Sequence, residues 1–192
     1  TTIDHWDTDP MVAAAIGATL DLRGVVHRTV RREDMLTMRL GASYEPDAQC
    51  PRWTQFLNEV FNDDAELIAY IQRAVGYCLT ADCREQKIFL CFGPGANGKS
   101  VFLEILTTLL GDYAANASFE TFDAGRRNES TNDLAALRGK RLVTVIETEE
   151  GRRLAEARVK SVTGQDLITC RFLYGEYFSY RPTYKIWLAM NH

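Results

Sequence analysis

One stretch of the chain has the residue types and spacing needed to hold a nucleoside triphosphate and its magnesium ion. Residues 93–100 read GPGANGKS, in which glycines let the backbone curl so that successive N–H groups face anionic oxygens. The Lys99 ammonium can reach the β- and γ-phosphates, and the Ser100 hydroxyl can ligate Mg²⁺. The predicted phosphate-binding set is Gly93, Pro94, Gly95, Ala96, Asn97, Gly98, Lys99, Ser100 and Val101.

Acidic and amide side chains follow two other apolar segments. Residues 141–146, RLVTVI, have the pattern of a buried strand and lead directly into Glu147 and Glu149, and Asn191 follows the apolar segment 184–190. A carboxylate at the end of a strand beside the phosphates can hold Mg²⁺ through water, and a second can orient the attacking water. We predict that Glu147 serves the metal, with Ser100, and that Glu149 activates water. A solvated acidic turn is the alternative interpretation. An asparagine at this position can hydrogen-bond the γ-phosphate or the water.

These groups need a sheet whose strands end at a common edge. Residues 87–92 have the length and apolar character of a buried parallel strand, bounded by Gly93 and Pro94. Apolar residues at helical spacing follow from Val101 to Leu110, with Gly111 as the C-terminal cap. Strand, glycine loop and helix together place a helix N-terminus at the phosphates, where its amides and dipole favour anions. The pattern predicts an α/β fold with a parallel sheet.

The remaining segments predict a coarse framework around this core. We predict a β-hairpin around Arg23 and Gly24, a short helix over residues 31–40, and an amphipathic helix that carries Trp53 and Phe56. Further predicted elements are a helix over 65–79 capped by Asp63 or Asp64, a loop over 112–132 followed by a short helix to Gly139, a helix over 152–162, and a hairpin around Gly175 and Glu176.

Composition excludes several classes of protein. Of the 192 residues, 46% are hydrophobic and 25% charged, as in a folded globular domain, and the net charge of −4 offers no global field for nucleic acid. The sequence has no membrane-spanning apolar run and no signal-peptide pattern, and its five cysteines and three histidines lack zinc-site spacing. We expect no membrane partner, and a location in the cytoplasm of a bacterial or virus-infected cell. We also expect the chain to be a piece of a longer protein, because it ends directly after a strand.

Several separated segments resemble one family. The segments GPGANGKS, LRGKRLVTVIETEEG, VKSVTGQDLITCRFLYGEYFSYRPT and YKIWLAMNH resemble, in this order, the superfamily 3 helicase domain of the phage/plasmid primase (poxvirus-type primase–helicase) family. The N-terminal stretches LDLRG, REDMLTMRLGASYEPDAQCPRW and FLNEVF resemble the module that precedes that domain. The resemblance implies an AAA+-like P-loop NTPase core over residues 63–192, truncated after motif C, and a small α+β module over residues 1–62.

The resemblance also implies a function and roles for individual residues. It implies an ATP-dependent DNA helicase or translocase of replication, with ATP and Mg²⁺ as cofactors. The implied partners are single-stranded DNA or a replication fork, and further copies of the chain in a hexameric ring. The implied catalytic residues are Lys99 of Walker A, Glu147 and Glu149 of Walker B, and Asn191 as sensor 1. A hairpin in the ring channel would contact DNA, which here implicates Lys160, Arg171 and Tyr174. An arginine finger is expected beyond residue 192.

Two other functions fit the phosphate loop. A nucleotide kinase would need an acceptor-binding lid with clustered arginines, for which only the segment 125–127 is similar. A nucleotide-binding module for DNA loading or assembly, without efficient turnover, would keep the loop but lack hydrolysis. The intact Lys99, Ser100 and Glu147 argue against the second alternative.

Overall fold

The computed structural model describes residues 5–24, 26–124, 131–147 and 153–190. In chain order the strands are β1 (Val12–Ala15), β2 (Ala18–Asp21), β3 (Val26–Arg28), β4 (Ile88–Phe92), β5 (Ala114–Ala117), β6 (Leu142–Ile146), β7 (Ile168–Cys170), β8 (Phe178–Tyr180) and β9 (Lys185–Met190). The α-helices are α1 (Pro51–Val60), α2 (Ala65–Cys78), α3 (Lys99–Leu110), α4 (Asn132–Ala135) and α5 (Glu156–Thr163). None of the helices in these ranges is long and apolar enough to cross a membrane.

A four-stranded parallel sheet forms the centre of the fold, in the order β4-β9-β6-β5. The prediction of an α/β fold with a parallel sheet is therefore confirmed. In this sheet Phe92 pairs with Met190, and Ile146 pairs with Ala189. The carboxyl ends of β4, β9 and β6 therefore lie along one edge of the sheet, where the loops that follow these strands begin.

Two apolar clusters cover the two faces of the sheet. On one face α3 buries Phe102, Leu103 and Leu106 against the sheet, together with Trp187 of β9. On the other face Val143 and Val145 of β6 pack with residues of α4, α5 and the β7–β8 hairpin. Because strand side chains alternate between faces, neighbouring residues of β6 and β9 serve different clusters.

The N-terminal residues share the first of these clusters. Antiparallel strands β1, β2 and β3 form a small sheet, which contains the predicted hairpin, and Ala13, Leu20 and Leu57 are buried with Phe102 and Trp187. Backbone contact is direct as well, since the Gly41 N–H donates to the Leu109 carbonyl at 2.9 Å. The residues of the predicted N-terminal module are thus packed against α3 rather than connected to it only through the chain.

Most predicted elements are present, with three differences. The predicted helix over 31–40 is wrong: a single 3₁₀ turn at Arg32–Asp34 ends at Met35, which has φ +51°. Beyond it the backbone bonds to distant segments, for example from Leu40 N to Ala14 O at 2.8 Å. The predicted loop over 112–132 contains β5, which pairs with β6. The predicted helix over 152–162 begins only at Glu156.

Candidate functional site

The glycine-rich loop joins β4 to α3 at the carboxyl edge of the sheet. α3 is a 12-residue helix whose N-cap is Gly98, and no side chain caps its first turn. The first helical hydrogen bond runs from Phe102 N to Gly98 O at 2.9 Å. The amides of the first turn therefore point out of the helix beside the loop, an arrangement that favours an anion. Ser100 and Val101 lie exposed in this turn.

The Lys99 side chain folds back over the loop. Its ammonium donates to Gly93 O at 2.7 Å, to Pro94 O at 3.0 Å and to the Asn97 side-chain oxygen at 2.9 Å. All three acceptors belong to residues 93–97, so the lysine closes the loop on itself. The ammonium has three donors, and an anion placed here would compete with these neutral oxygens for them.

Helix α1 supports the loop from the side of the N-terminal residues. A Cβ atom at Gly98 would lie 2.8 Å from Val60 Cγ2 and 3.3 Å from Phe56 Cε2, so this residue has room only for a hydrogen. Gly98 also has φ +86°, a conformation that other residues rarely adopt. Aromatic packing continues this contact between α1 and α3. The Trp53 ring centroid lies 5.5 Å from that of Phe56 and 5.8 Å from that of Phe102. The position of the loop thus depends on α1.

Glu147 lies at the same carboxyl end of the sheet as the loop. It follows β6 directly, and its N–H donates to Ala189 O of β9 at 2.9 Å. Because β9 lies between β4 and β6, the backbones at Gly93 and Glu147 are two strand spacings apart, roughly 10 Å. A carboxylate at that distance can reach a cation on the phosphates through one water. Glu149 and Asn191, the other predicted catalytic residues, lie outside the described residues.

The thiol beneath the loop has no reactive character. Burial raises the pKa of Cys91 in β4 to about 11, although the nearby Lys99 ammonium opposes this shift. A thiol with that pKa stays protonated at neutral pH and acts as a small core residue.

Among the described residues no group of three His, Cys, Asp or Glu side chains could hold a metal by itself. A magnesium ion here would need the phosphates as ligands, because Ser100 and Glu147 offer only one hydroxyl and one carboxylate to an ion that prefers six oxygen ligands.

The predicted DNA-contacting residues lie on other elements. Lys160 is exposed on α5, while Arg171 and Tyr174 are exposed on the loop between β7 and β8. The Arg171 guanidinium lies over the Tyr177 ring at 4.7 Å, and Tyr174 is 96% exposed. The hairpin and α5 pack on the sheet face opposite to α3, so these residues lie on elements other than the glycine-rich loop and α3.

Sequence reasoning missed the residues that hold the loop and the sheet in place. Phe56 and Val60 belong to a helical apolar stripe, which indicates a buried face but not its contact with Gly98. Arg141 is 2% exposed and donates to Val12 O at 2.6 Å and to Leu79 O, and its guanidinium lies 4.4 Å from the Tyr113 ring. It joins the N-terminal residues and the end of α2 to the start of β6. A lone arginine before an apolar strand gave no signal of this role.

Two parts of the chain match known families. Residues 91–192 match a family described as "Family of unknown function (DUF5906)", and residues 1–62 match one described as "D5 N terminal like". Over 177 residues the chain is 27% identical to a protein of Acanthamoeba polyphaga mimivirus named "Putative helicase L207/L206". This alignment covers 89% of the chain but only 18% of the mimivirus protein.

Solved structures share the fold at low sequence identity. The apo structure of the NrS-1 C-terminal region has a TM-score of 0.63 and 14% identity, over 77% of this chain and 35% of that one. Its A form gives a TM-score of 0.61, also at 14% identity, over 76% of this chain and 34% of that one. The chain thus spans about a fifth of its curated relative and about a third of these structures.

Proposed function

The chain belongs to the DUF5906 family, and from the arrangement of residues at the carboxyl ends of its parallel strands we propose that it is the ATPase core of a DNA helicase or translocase used in phage- or plasmid-type replication. The observation that carries the proposal is the strand–loop–helix unit of β4, residues 93–98 and α3, with Glu147 ending a strand of the same sheet. The name of the mimivirus relative and the match of residues 1–62 support the replication context.

In this function the loop binds the triphosphate. The amides of residues 93–100 and the N-terminus of α3 face its oxygens, as in AAA+-like P-loop enzymes. Lys99 exchanges its bonds to Gly93, Pro94 and Asn97 for the charged β- and γ-phosphate oxygens, which are the stronger acceptors. Ser100 and Glu147 would hold Mg²⁺, which would supply positive charge against the phosphates.

The remaining catalytic roles rest on the predicted residues. Glu149 orients the attacking water, and Asn191 hydrogen-bonds the γ-phosphate or that water. An arginine from a neighbouring copy completes the site, so turnover depends on assembly into a homo-oligomeric ring. Residues 1–62 form the module that holds the loop, through the contact of α1 with Gly98. DNA contacts come from Lys160, Arg171 and Tyr174.

ATP hydrolysis stimulated by single-stranded DNA tests the proposal. Phosphate release is measured in the longer protein, which is expected to carry the arginine finger, over a range of protein concentrations, with and without an oligothymidine strand, for the wild type and Lys99→Ala. We expect DNA to raise the rate of hydrolysis, and we expect Lys99→Ala to hydrolyse ATP at least 100-fold more slowly than the wild type. Lys87→Ala, which removes an exposed lysine just before β4, is the matched control and keeps the wild-type rate.

The outcomes separate the proposal from its alternatives. Hydrolysis that neither responds to DNA nor accompanies DNA binding would reject the helicase function. Tight binding of ATP without turnover at any protein concentration would favour the loading or assembly module. Transfer of the γ-phosphate to an added nucleoside monophosphate would identify a nucleotide kinase.

A further inference from the structure

The side chain of Asn97 lies across the glycine-rich loop. Its Oδ1 accepts a hydrogen bond from the Lys99 ammonium at 2.9 Å. Its Nδ2 faces the first glycine of the loop, because a Cβ atom at Gly93 would lie only 2.6 Å from it. The amide therefore occupies the space between the lysine and the start of the loop, and Gly93 leaves room for it by having no side chain.

The Lys99 ammonium has as many acceptors as it has protons. Its three N–H groups meet Gly93 O at 2.7 Å, Pro94 O at 3.0 Å and Asn97 Oδ1 at 2.9 Å. Two of these acceptors are backbone carbonyls, which move only if the loop itself moves. The third belongs to a side chain and can leave by rotation. A phosphate oxygen that takes a hydrogen bond from Lys99 therefore replaces Asn97 Oδ1 first.

The surroundings of Asn97 favour movement of its side chain over movement of the loop. Asn97 and Lys99 both line a cavity of about 410 Å³, in which Phe61 and Tyr70 are among the other lining residues. The amide thus has free volume beside it. Gly98, the next residue, is packed against α1 and has no such freedom.

We propose that the Asn97–Lys99 hydrogen bond is an autoinhibitory contact, in which the asparagine amide competes with the phosphates of the nucleotide for the lysine. The inference rests on the proposed function and adds a step that regulates entry of the nucleotide into that same site. The amide rotates away, and Lys99 turns the released N–H to a phosphate oxygen. The phosphate wins the exchange because it is charged and is therefore the stronger acceptor.

The strength of this contact sets how much affinity the nucleotide loses. A hydrogen bond from a charged donor shifts an equilibrium by about tenfold, so in about one molecule in ten Lys99 is released from Asn97. The apparent affinity is reduced by that fraction, and loss of the amide should therefore raise it about tenfold. Because the hydrogen bond is absent from the complex, the dissociation rate should stay the same and the gain should appear in the association rate.

Stopped-flow fluorescence with Mg²⁺ and an N-methylanthraniloyl derivative of ATP, carried out in the longer protein, tests this inference. Asn97→Ala should bind the nucleotide about tenfold faster than the wild type and release it at the same rate. Alanine fits the backbone here, because Asn97, unlike Ala96 and Gly98, does not have a positive φ. Asn116→Ala, which removes an exposed carboxamide of β5 at the other edge of the sheet, is the control and should keep both wild-type rates.

Two further variants separate competition for the lysine from a general effect on the loop. Asn97→Asp puts a carboxylate against the Lys99 ammonium and before the phosphates, so it should bind the nucleotide at least about tenfold more slowly than the wild type. In a Lys99→Ala background, Asn97→Ala should leave the association rate unchanged, because there is no ammonium for the amide to hold. A loop that is merely loosened by the loss of Asn97 would change the rate in both backgrounds.

The outcomes distinguish this inference from the function on which it rests. If the wild type binds no nucleotide, the proposed function fails and the autoinhibitory contact with it. If the wild type binds and Asn97→Ala associates no faster, the autoinhibitory contact alone is refuted. Equal acceleration with and without Lys99 would refute it as well. Faster dissociation from Asn97→Ala would make the asparagine a ligand of the phosphates rather than their competitor, which also refutes the inference.

Discussion

Replacement of Gly98 with alanine should destabilise the protein by about 2–5 kcal/mol. Two costs add up at this residue. The backbone at φ +86° and ψ −3° costs a non-glycine residue about 1–2 kcal/mol. The new Cβ would also stand 2.8 Å from Val60 Cγ2, well inside the 3.5–4.0 Å optimum, and relieving such overpacking costs about 1–3 kcal/mol.

Urea unfolding without nucleotide measures this effect, and a double-mutant cycle separates its two parts. Val60→Ala removes the clashing methyl group, so Gly98→Ala should cost about 1–2 kcal/mol less in that background than in the wild type. Gly95→Ala is the matched control in the same loop, because its Cβ would meet nothing within 4 Å and its φ is not positive. It should stay within about 0.5 kcal/mol of the wild type. Equal effects of Gly98→Ala in both backgrounds would refute the claim that α1 packs on the loop.

Two further predictions concern the buried cations at the opposite end of the sheet. Arg141→Met should lower the free energy of unfolding, measured in urea, by about 2–4 kcal/mol, because the carbonyls of Val12 and Leu79 lose a charged donor. If the variant is as stable as the wild type, Arg141 does not bridge these segments. Lys185 is 2% exposed, and burial lowers its pKa from 10.5 to about 8, so between these values the unfolded chain holds a proton that the folded protein has lost. The free energy of unfolding of the wild type should therefore rise, relative to that of Lys185→Met, by up to about 1.4 kcal/mol per pH unit from pH 8 towards 10. A difference between the two proteins that does not change with pH would contradict the burial of this charge.

The elements that carry the candidate site could be predicted from local patterns. The apolar segment before Gly93, the helical spacing after Lys99 and the apolar segment before Glu147 each specify one element over a short range. Their order along the chain then implies parallel pairing, since helices connect the strands. The sequence also predicts that Asp63 or Asp64 caps α2, and in the structure the Asp64 carboxylate accepts from Leu67 N at 2.9 Å.

Features that depend on distant contacts could not be predicted in this way. β5 has the sequence AANA, which lacks β-branched residues, and it is a strand because β6 pairs with it. Leu90 and Phe92 belong to an apolar run that suggests full burial. They are 56% and 69% exposed because they point to the sheet face opposite to α3, and the apolar cluster on that face does not extend over this part of the edge strand β4. Likewise, the stripe of α1 indicates a buried face, but only the fold shows that Gly98 lies against it.

Binding of Mg²⁺-ATP measured by titration calorimetry tests the central claim, that residues 93–100 hold the phosphates of a nucleotide. The wild type and Lys87→Ala should bind with the same affinity. Lys99→Ala should bind at least tenfold more weakly, because a charged contact to the phosphates is lost while its fold, checked by urea unfolding, remains intact. Equal affinity of Lys99→Ala and the wild type, or no binding by either, would contradict the account.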